Sequence, residues 1–133
     1  MSKRLAAGLP ALCWASIIFW LSIDIDPPSP GAEGSTVSSL APYVGHLAVY
    51  AVLAALLIVW RWATLAVATS LLPNAVVFVG VTAYGGVLEL YQGTVPERTA
   101  AWGDVLLNGA GALAGIAGLF VLRALLTRMR LVH

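Results

Sequence analysis

The chain has 133 residues, of which 60% are hydrophobic and only 10% charged, with a mean hydropathy of +0.92. A soluble domain is about 45–50% apolar and about 25% charged, so neither a small soluble globule nor a disordered chain fits. The formal net charge of +1 supplies no basic field to hold nucleic acid. The lone Cys13 allows neither an intrachain disulfide nor a cysteine-rich metal site. The composition predicts one all-α integral membrane domain.

A hydrocarbon core of about 30 Å needs about 20 mostly apolar residues in a helix. The first stretch that qualifies is 5–23. Lys3 and Arg4 ahead of it resemble the start of a secretory signal, but the apolar run exceeds the ~7–15 residues of a signal core. After Leu21 come Asp24, Asp26 and three prolines rather than a small-x-small cleavage motif, so the segment reads as a retained first helix. Residues 24–42, rich in Pro, Gly and Ser, read as a flexible outer loop. The second helix is expected over 43–60. The apolar piece 63–72, which ends at Pro73, reads as a loop or interfacial turn, or as an extension of the second helix. The third helix is expected over 74–91, a second outer loop over 92–104, and the fourth helix over 105–126. Four such helices predict a compact transmembrane bundle.

Orientation follows from Lys and Arg near the helix ends. With both termini cytoplasmic, Lys3, Arg4, Arg61, Arg123, Arg128 and Arg130 all fall inside, and only Arg98 falls outside. All six acids, Asp24, Asp26, Glu33, Glu89, Glu97 and Asp104, then lie at or near the outer face. Trp20 and Trp102 fall at the outer interface and Trp60 and Trp62 at the inner one, the depth that indole rings favour. Trp14 falls mid-span, with no functional reading. The expected location is the bacterial cytoplasmic membrane, as a multi-pass protein.

Ionisable groups inside or at the rim of a membrane helix are costly and need a reason. Here they share one side of the bilayer. Steps of three and four put Tyr43, His46 and Tyr50 on one face of the second helix. Glu89 and Gln92 end the third helix; Asp104 and Asn108 begin the fourth. Below Asn108 run Gly111, Gly115 and Gly118, a stripe of small residues that lets membrane helices approach closely. That stripe turns the face carrying Asp104 and Asn108 toward neighbouring helices. His46, Tyr50, Glu89, Gln92, Arg98, Asp104 and Asn108 are therefore expected to converge on one outward-facing pocket. Arg98 suits a salt bridge to Glu89 or Asp104, or a bidentate grip on an anion.

Each residue also has a plainer reading. His46 can simply bond a neighbouring helix. Glu89 can serve a structural ion pair with Arg98. Asp104 suits the positive end of a helix as a cap. Seven polar residues at one rim exceed what anchoring four helices requires.

Residues 44–115 resemble the VanZ-like family of small bacterial membrane proteins. Three pieces carry the resemblance: His46 with Tyr50 four residues on; Glu89 and Gln92 followed by Pro96 and Arg98; and Asp104, Asn108, Gly111 and Gly115. Many members carry a Lys shortly before the His, where this chain has Val44 and Gly45, and Asp-Glu where this chain has Leu88-Glu89. The site therefore has one base and one acid fewer. The resemblance implies a cell-envelope protein, and the family's namesake lowers susceptibility to the antibiotic teicoplanin.

Three functions fit the expected site. One is binding or modification of an outer-leaflet amphiphile: a lipid headgroup, a lipid-linked cell-wall precursor or a lipoglycopeptide such as teicoplanin. Another is an acid–base enzyme with His46 and Glu89 as the catalytic pair and Arg98 and Asn108 stabilising charge. The third is an accessory subunit whose polar rim docks a partner membrane protein or a second copy of the chain. No cofactor is expected. One His with two acids lacks a diagnostic metal-ligand spacing, so no metal is expected either.

Overall fold

The computed structural model describes residues 6–23, 36–64, 71–95 and 102–131. Among them lie four long helices and no strand: α1 (Leu9–Ile23), α2 (Thr36–Thr64), α3 (Leu71–Gln92) and α4 (Trp102–Leu131). Three helices are long and apolar enough to cross a membrane, over Tyr43–Thr64, Leu71–Gln92 and Trp102–Arg130. α1 is apolar but has only 15 residues. At ~1.5 Å per residue it covers ~22 Å, short of the ~30 Å hydrocarbon core.

The first helix ends at Ile23 as expected, while the bounds of the other three shift. The expected start at residue 5 lies outside the described residues; Ala6 is helical, a turn at Ala7 and Gly8 follows, and α1 runs on from Leu9 with a first bond from the Leu12 amide to the Gly8 carbonyl at 3.1 Å. Pro10 sits in the first turn, where a missing amide costs no hydrogen bond. α2 begins at Thr36, seven residues before the expected Tyr43, so 36–42 is helix and not loop. Pro42 falls inside this helix, a place proline disfavours because it lacks an amide hydrogen and crowds the preceding turn, yet the helix runs through it. Both ends of the 63–72 piece are helical: α2 runs to Thr64 and α3 starts at Leu71. Pro73 stands in the first turn of α3, where it is tolerated for the same reason as Pro10. α4 starts at Trp102 and continues to Leu131, beyond the expected 105–126.

Neighbouring helices run in alternating directions. Gly8 ahead of α1 faces the Trp60 ring near the end of α2, while the end of α1 meets the end of α3 through a bond from Gln92 Nε2 to the Ser22 carbonyl at 3.1 Å. α1 and α3 thus point one way, and α2 and α4 the other. The start of α2, the end of α3 and the start of α4 share one end, called the rim below. At the opposite end Arg61 Nη2 donates to Asn74 Oδ1 at 2.7 Å, and the Arg123 guanidinium lies 5.0 Å from the centre of the Trp62 ring.

The closest helix pair is α2 with α4, and two glycines make it so. A Cβ on Gly111 would run into the Leu47 carbonyl, and one on Gly115 into the Ala51 carbonyl. Backbone therefore lies against backbone, the packing that small residues permit in lipid. No described neighbour stands within 4 Å of a Cβ at Gly118, so the close approach ends above it and the expected stripe is shorter by one residue.

α1 is fastened by side chains reaching carbonyls. Trp14 Nε1 donates to the Val49 carbonyl at 2.8 Å, and Tyr84 Oη to the Ala15 carbonyl at 2.7 Å. The core that results is small: Ile18, Leu53, Ala54, Val81, Leu88 and Ala112 with the Tyr50 ring. Many large apolar side chains face outward, among them Val52, Val59, Val76, Val79, Leu106 and Leu113. In water such a surface would drive association; in hydrocarbon it is the solvated face.

Candidate functional site

The rim is built where three helix ends meet. α3 stops there because Gly93 follows Gln92, a frequent helix terminator. The Gly93 amide still bonds to the Glu89 carbonyl at 3.0 Å, after which Thr94 and Val95 tighten to three-residue bonds with Tyr91 and Gln92. Thr94 Oγ1 also donates to the Tyr91 carbonyl at 2.7 Å. That turn holds the last helical residues of α3, Glu89 included, at a fixed height.

His46 stands on α2 between the two polar residues of α4. Its Nδ1 lies 2.8 Å from Asn108 Oδ1, and its Nε2 lies 3.8 Å from Asp104 Oδ2. A carbonyl oxygen only accepts, so the Nδ1 nitrogen donates and carries a hydrogen. In a neutral ring the lone pair is then on Nε2, on the Asp104 side. Glu89 completes the group from α3: one ligand-type atom from each of His46, Glu89 and Asp104 lies within 4.8 Å of the others.

Burial grades through the group. His46 and Asp104 keep 26% of their side-chain surface exposed, whereas Glu89 keeps 4% and Asn108 none. Tyr50, one turn below His46, is buried with its ring parallel to the imidazole at a 6.4 Å centroid distance. Asn108 Nδ2 and Thr82 Oγ1 are buried without a hydrogen-bond partner among the described residues. A buried unpaired amide costs about 1–3 kcal/mol, which marks the floor of the rim as a polar spot maintained against its cost.

The structure thus brings together His46, Glu89, Asp104 and Asn108, with Tyr50 beneath. Gln92 does not join them, because its amide is spent on the Ser22 carbonyl of α1. Arg98 lies outside the described residues, as do Pro96 and Glu97. Asp104, in the first turn of α4, sits at the positive end of the helix dipole as well as beside His46. Sequence spacing gave no role to Trp14, Thr82 or Asn74. A mid-span indole with no partner in its own helix was the available signal for Trp14.

At the opposite end an open groove of about 400 Å³ runs past Trp62, Arg123 and Arg130. The acids at the rim and these arginines therefore occupy opposite ends of the helices.

A family model described as VanZ/LLP1 matches residues 9–123, most of the chain. No curated protein and no solved structure matches it.

Proposed function

The chain belongs to the VanZ/LLP1 family, and we propose that this membrane protein uses its rim to bind the polar head of an amphiphile in the outer leaflet. The observation that carries the reading is the meeting of His46, Glu89 and Asp104 from three helices within 4.8 Å, above a wholly buried Asn108. Polar groups of this kind at membrane depth are costly unless they do something. Apolar helix faces lie directly below, so the tail of a ligand meets hydrocarbon while its head meets hydrogen-bonding groups. A lipid headgroup, a lipid-linked cell-wall precursor and a lipoglycopeptide such as teicoplanin share that build.

Orientation is part of the proposal. Arg61, Arg123, Arg128 and Arg130 gather at the end opposite the rim, and a Lys/Arg excess marks the cytoplasmic side. The rim then opens outward and both termini are cytoplasmic, in a bacterial plasma membrane.

Acid–base chemistry is the second reading, favoured by the bond from His46 to Asn108, which leaves Nε2 to take a proton near Glu89 and Asp104.

The test titrates undecaprenyl phosphate and teicoplanin against the protein in phosphatidylcholine nanodiscs. Saturable binding of either, weakened about tenfold or more in Glu89→Gln and Asn108→Ala, is expected. Equal binding by both variants, or none by the wild type, overturns the reading. Teicoplanin susceptibility of a sensitive Gram-positive host at matched membrane abundance then separates the antibiotic phenotype from headgroup binding in general.

A further inference from the structure

The rim holds three donor side chains on three separate helices: an imidazole from α2, a carboxylate from α3 and a carboxylate from α4. We propose that His46, Glu89 and Asp104 together bind one divalent cation of the zinc or manganese class. The ion gives the rim a positive centre for an anionic head, so the inference rests on the reading above.

Geometry is the first support. One donor atom from each residue lies within 4.8 Å of the others. His46 Nε2 and Asp104 Oδ2 stand 3.8 Å apart, beyond a hydrogen bond. Two ligands on a shared ion with bonds of ~2.1 Å sit ~3.0–3.8 Å apart for angles of ~90–130°. The pair is thus spaced as neighbouring ligands are, and a Glu89 carboxylate oxygen lies within 4.8 Å of a donor atom of each.

Asn108 gives a second, independent support. Its Oδ1 accepts from His46 Nδ1 at 2.8 Å, and the residue is wholly buried. A histidine that binds a metal through one ring nitrogen almost always donates its other N–H to such an acceptor, which fixes the tautomer and the ring plane. Here the acceptor is held rigidly in the core, and the nitrogen left with the lone pair is the one facing Asp104.

Donor type selects the ion. The imidazole and the two carboxylates offer one nitrogen and two anionic oxygens, a donor set that divalent transition-metal ions accept. One nitrogen with two oxygens suits zinc or manganese better than calcium, which takes all-oxygen cages of 6–8 ligands, or magnesium, which keeps its waters. Three protein ligands leave coordination positions open for water or for a phosphate or carboxylate oxygen of the head.

The experiment uses the full chain in phosphatidylcholine nanodiscs, freed of any affinity tag, stripped with chelator and dialysed against zinc alone. One zinc per chain by elemental analysis is expected, with His46→Ala, Glu89→Gln and Asp104→Asn each weakening binding about tenfold or more. Asn108→Ala is expected to weaken binding ~10–100-fold, as loss of an outer partner does. His133→Ala and Cys13→Ser, at the chain's other histidine and its lone thiol, should bind as the wild type does. Cobalt added to the wild type guards against variants that fail to fold: imidazole coupling in its pulsed-EPR spectrum supports the site. A cobalt spectrum without imidazole coupling overturns the proposal, as does zinc binding that survives His46→Ala. Undecaprenyl phosphate is titrated with and without zinc. Headgroup binding that ignores zinc overturns the ion's part in holding the head and leaves headgroup recognition standing; a bound zinc with no headgroup binding leaves the cation site standing and overturns headgroup recognition.

Discussion

Gly85 on α3 faces Asn108 on α4 so closely that a Cβ added to the glycine would lie 2.5 Å from Asn108 Nδ2 and 2.9 Å from Tyr50 Cε1. The glycine therefore makes room for the amide that steers His46. Gly85→Ala should cost ~1–3 kcal/mol, the usual penalty for overpacking, and should displace the Asn108 side chain. Gly86→Ala is the matched control, since its Cβ would meet only Val105 at 3.9 Å. Reversible unfolding in mixed micelles measures both; equal stability of the two variants would refute the tight fit.

The α2–α4 seam predicts a steeper response. At Gly111 and Gly115 the obstacle is backbone carbonyl, which cannot swing aside as a side chain can. Alanine at either position should cost at least about 2 kcal/mol and lower membrane abundance. Gly118→Ala should be close to neutral. Parallel expression and unfolding of the three variants checks the order.

The His46–Asn108 bond predicts a ring tautomer. Nitrogen-15 NMR of labelled His46 should show hydrogen on Nδ1 in the neutral ring of the wild type. Asn108→Ala should shift the signal toward a mixture of tautomers and destabilise the fold by about 1–2 kcal/mol, through the orphaned N–H. A wild-type signal from the Nε2–H tautomer would be incompatible with Oδ1 as the acceptor.

α1 should loosen when its side-chain anchors are cut. Tyr84→Phe removes the bond to the Ala15 carbonyl, and Trp14→Phe the bond to the Val49 carbonyl. Interhelical hydrogen bonds in membranes average about 0.6 kcal/mol and reach about 1.7, so each variant should lose that order of stability. Double-mutant additivity is expected, because the two bonds use different carbonyls on different helices. A synergistic loss would mean that α1 undocks as a unit.

Topology has its own test. An alkaline phosphatase fused after His133 should be inactive and a fluorescent protein at the same point bright, as for a cytoplasmic C-terminus. The opposite pair of results would turn the rim inward.

The rim was legible in the sequence because its residues break the apolar pattern. His46, Glu89, Asp104 and Asn108 are polar positions inside long hydrophobic runs, and helical periodicity together with the alternation of helix direction brings them to one end. Gln92 shows where that logic stops: its position allows either the rim or α1, and only packing decides for the Ser22 carbonyl. Trp14 stood out as a mid-span indole, but its partner was unreadable, since a backbone carbonyl is what any sequence would offer. The start of α2 at Thr36 was hidden by Pro42, which reads as a stop because an interior proline lacks an amide hydrogen and crowds the preceding turn, yet α2 passes through it.

Trp62 and Arg123, stacked at 5.0 Å, also work as a waterline. Indole and guanidinium together settle at headgroup level. His46 and Trp62 are sixteen positions apart on α2, a rise of ~24 Å against a hydrocarbon thickness of ~30 Å. With Trp62 moored at one surface, the imidazole floats several ångströms below the other. A head that reaches it must be drawn down through that shortfall, or the leaflet above must dimple to meet it. Thickness of the surrounding bilayer then governs access, and binding should strengthen as acyl chains shorten.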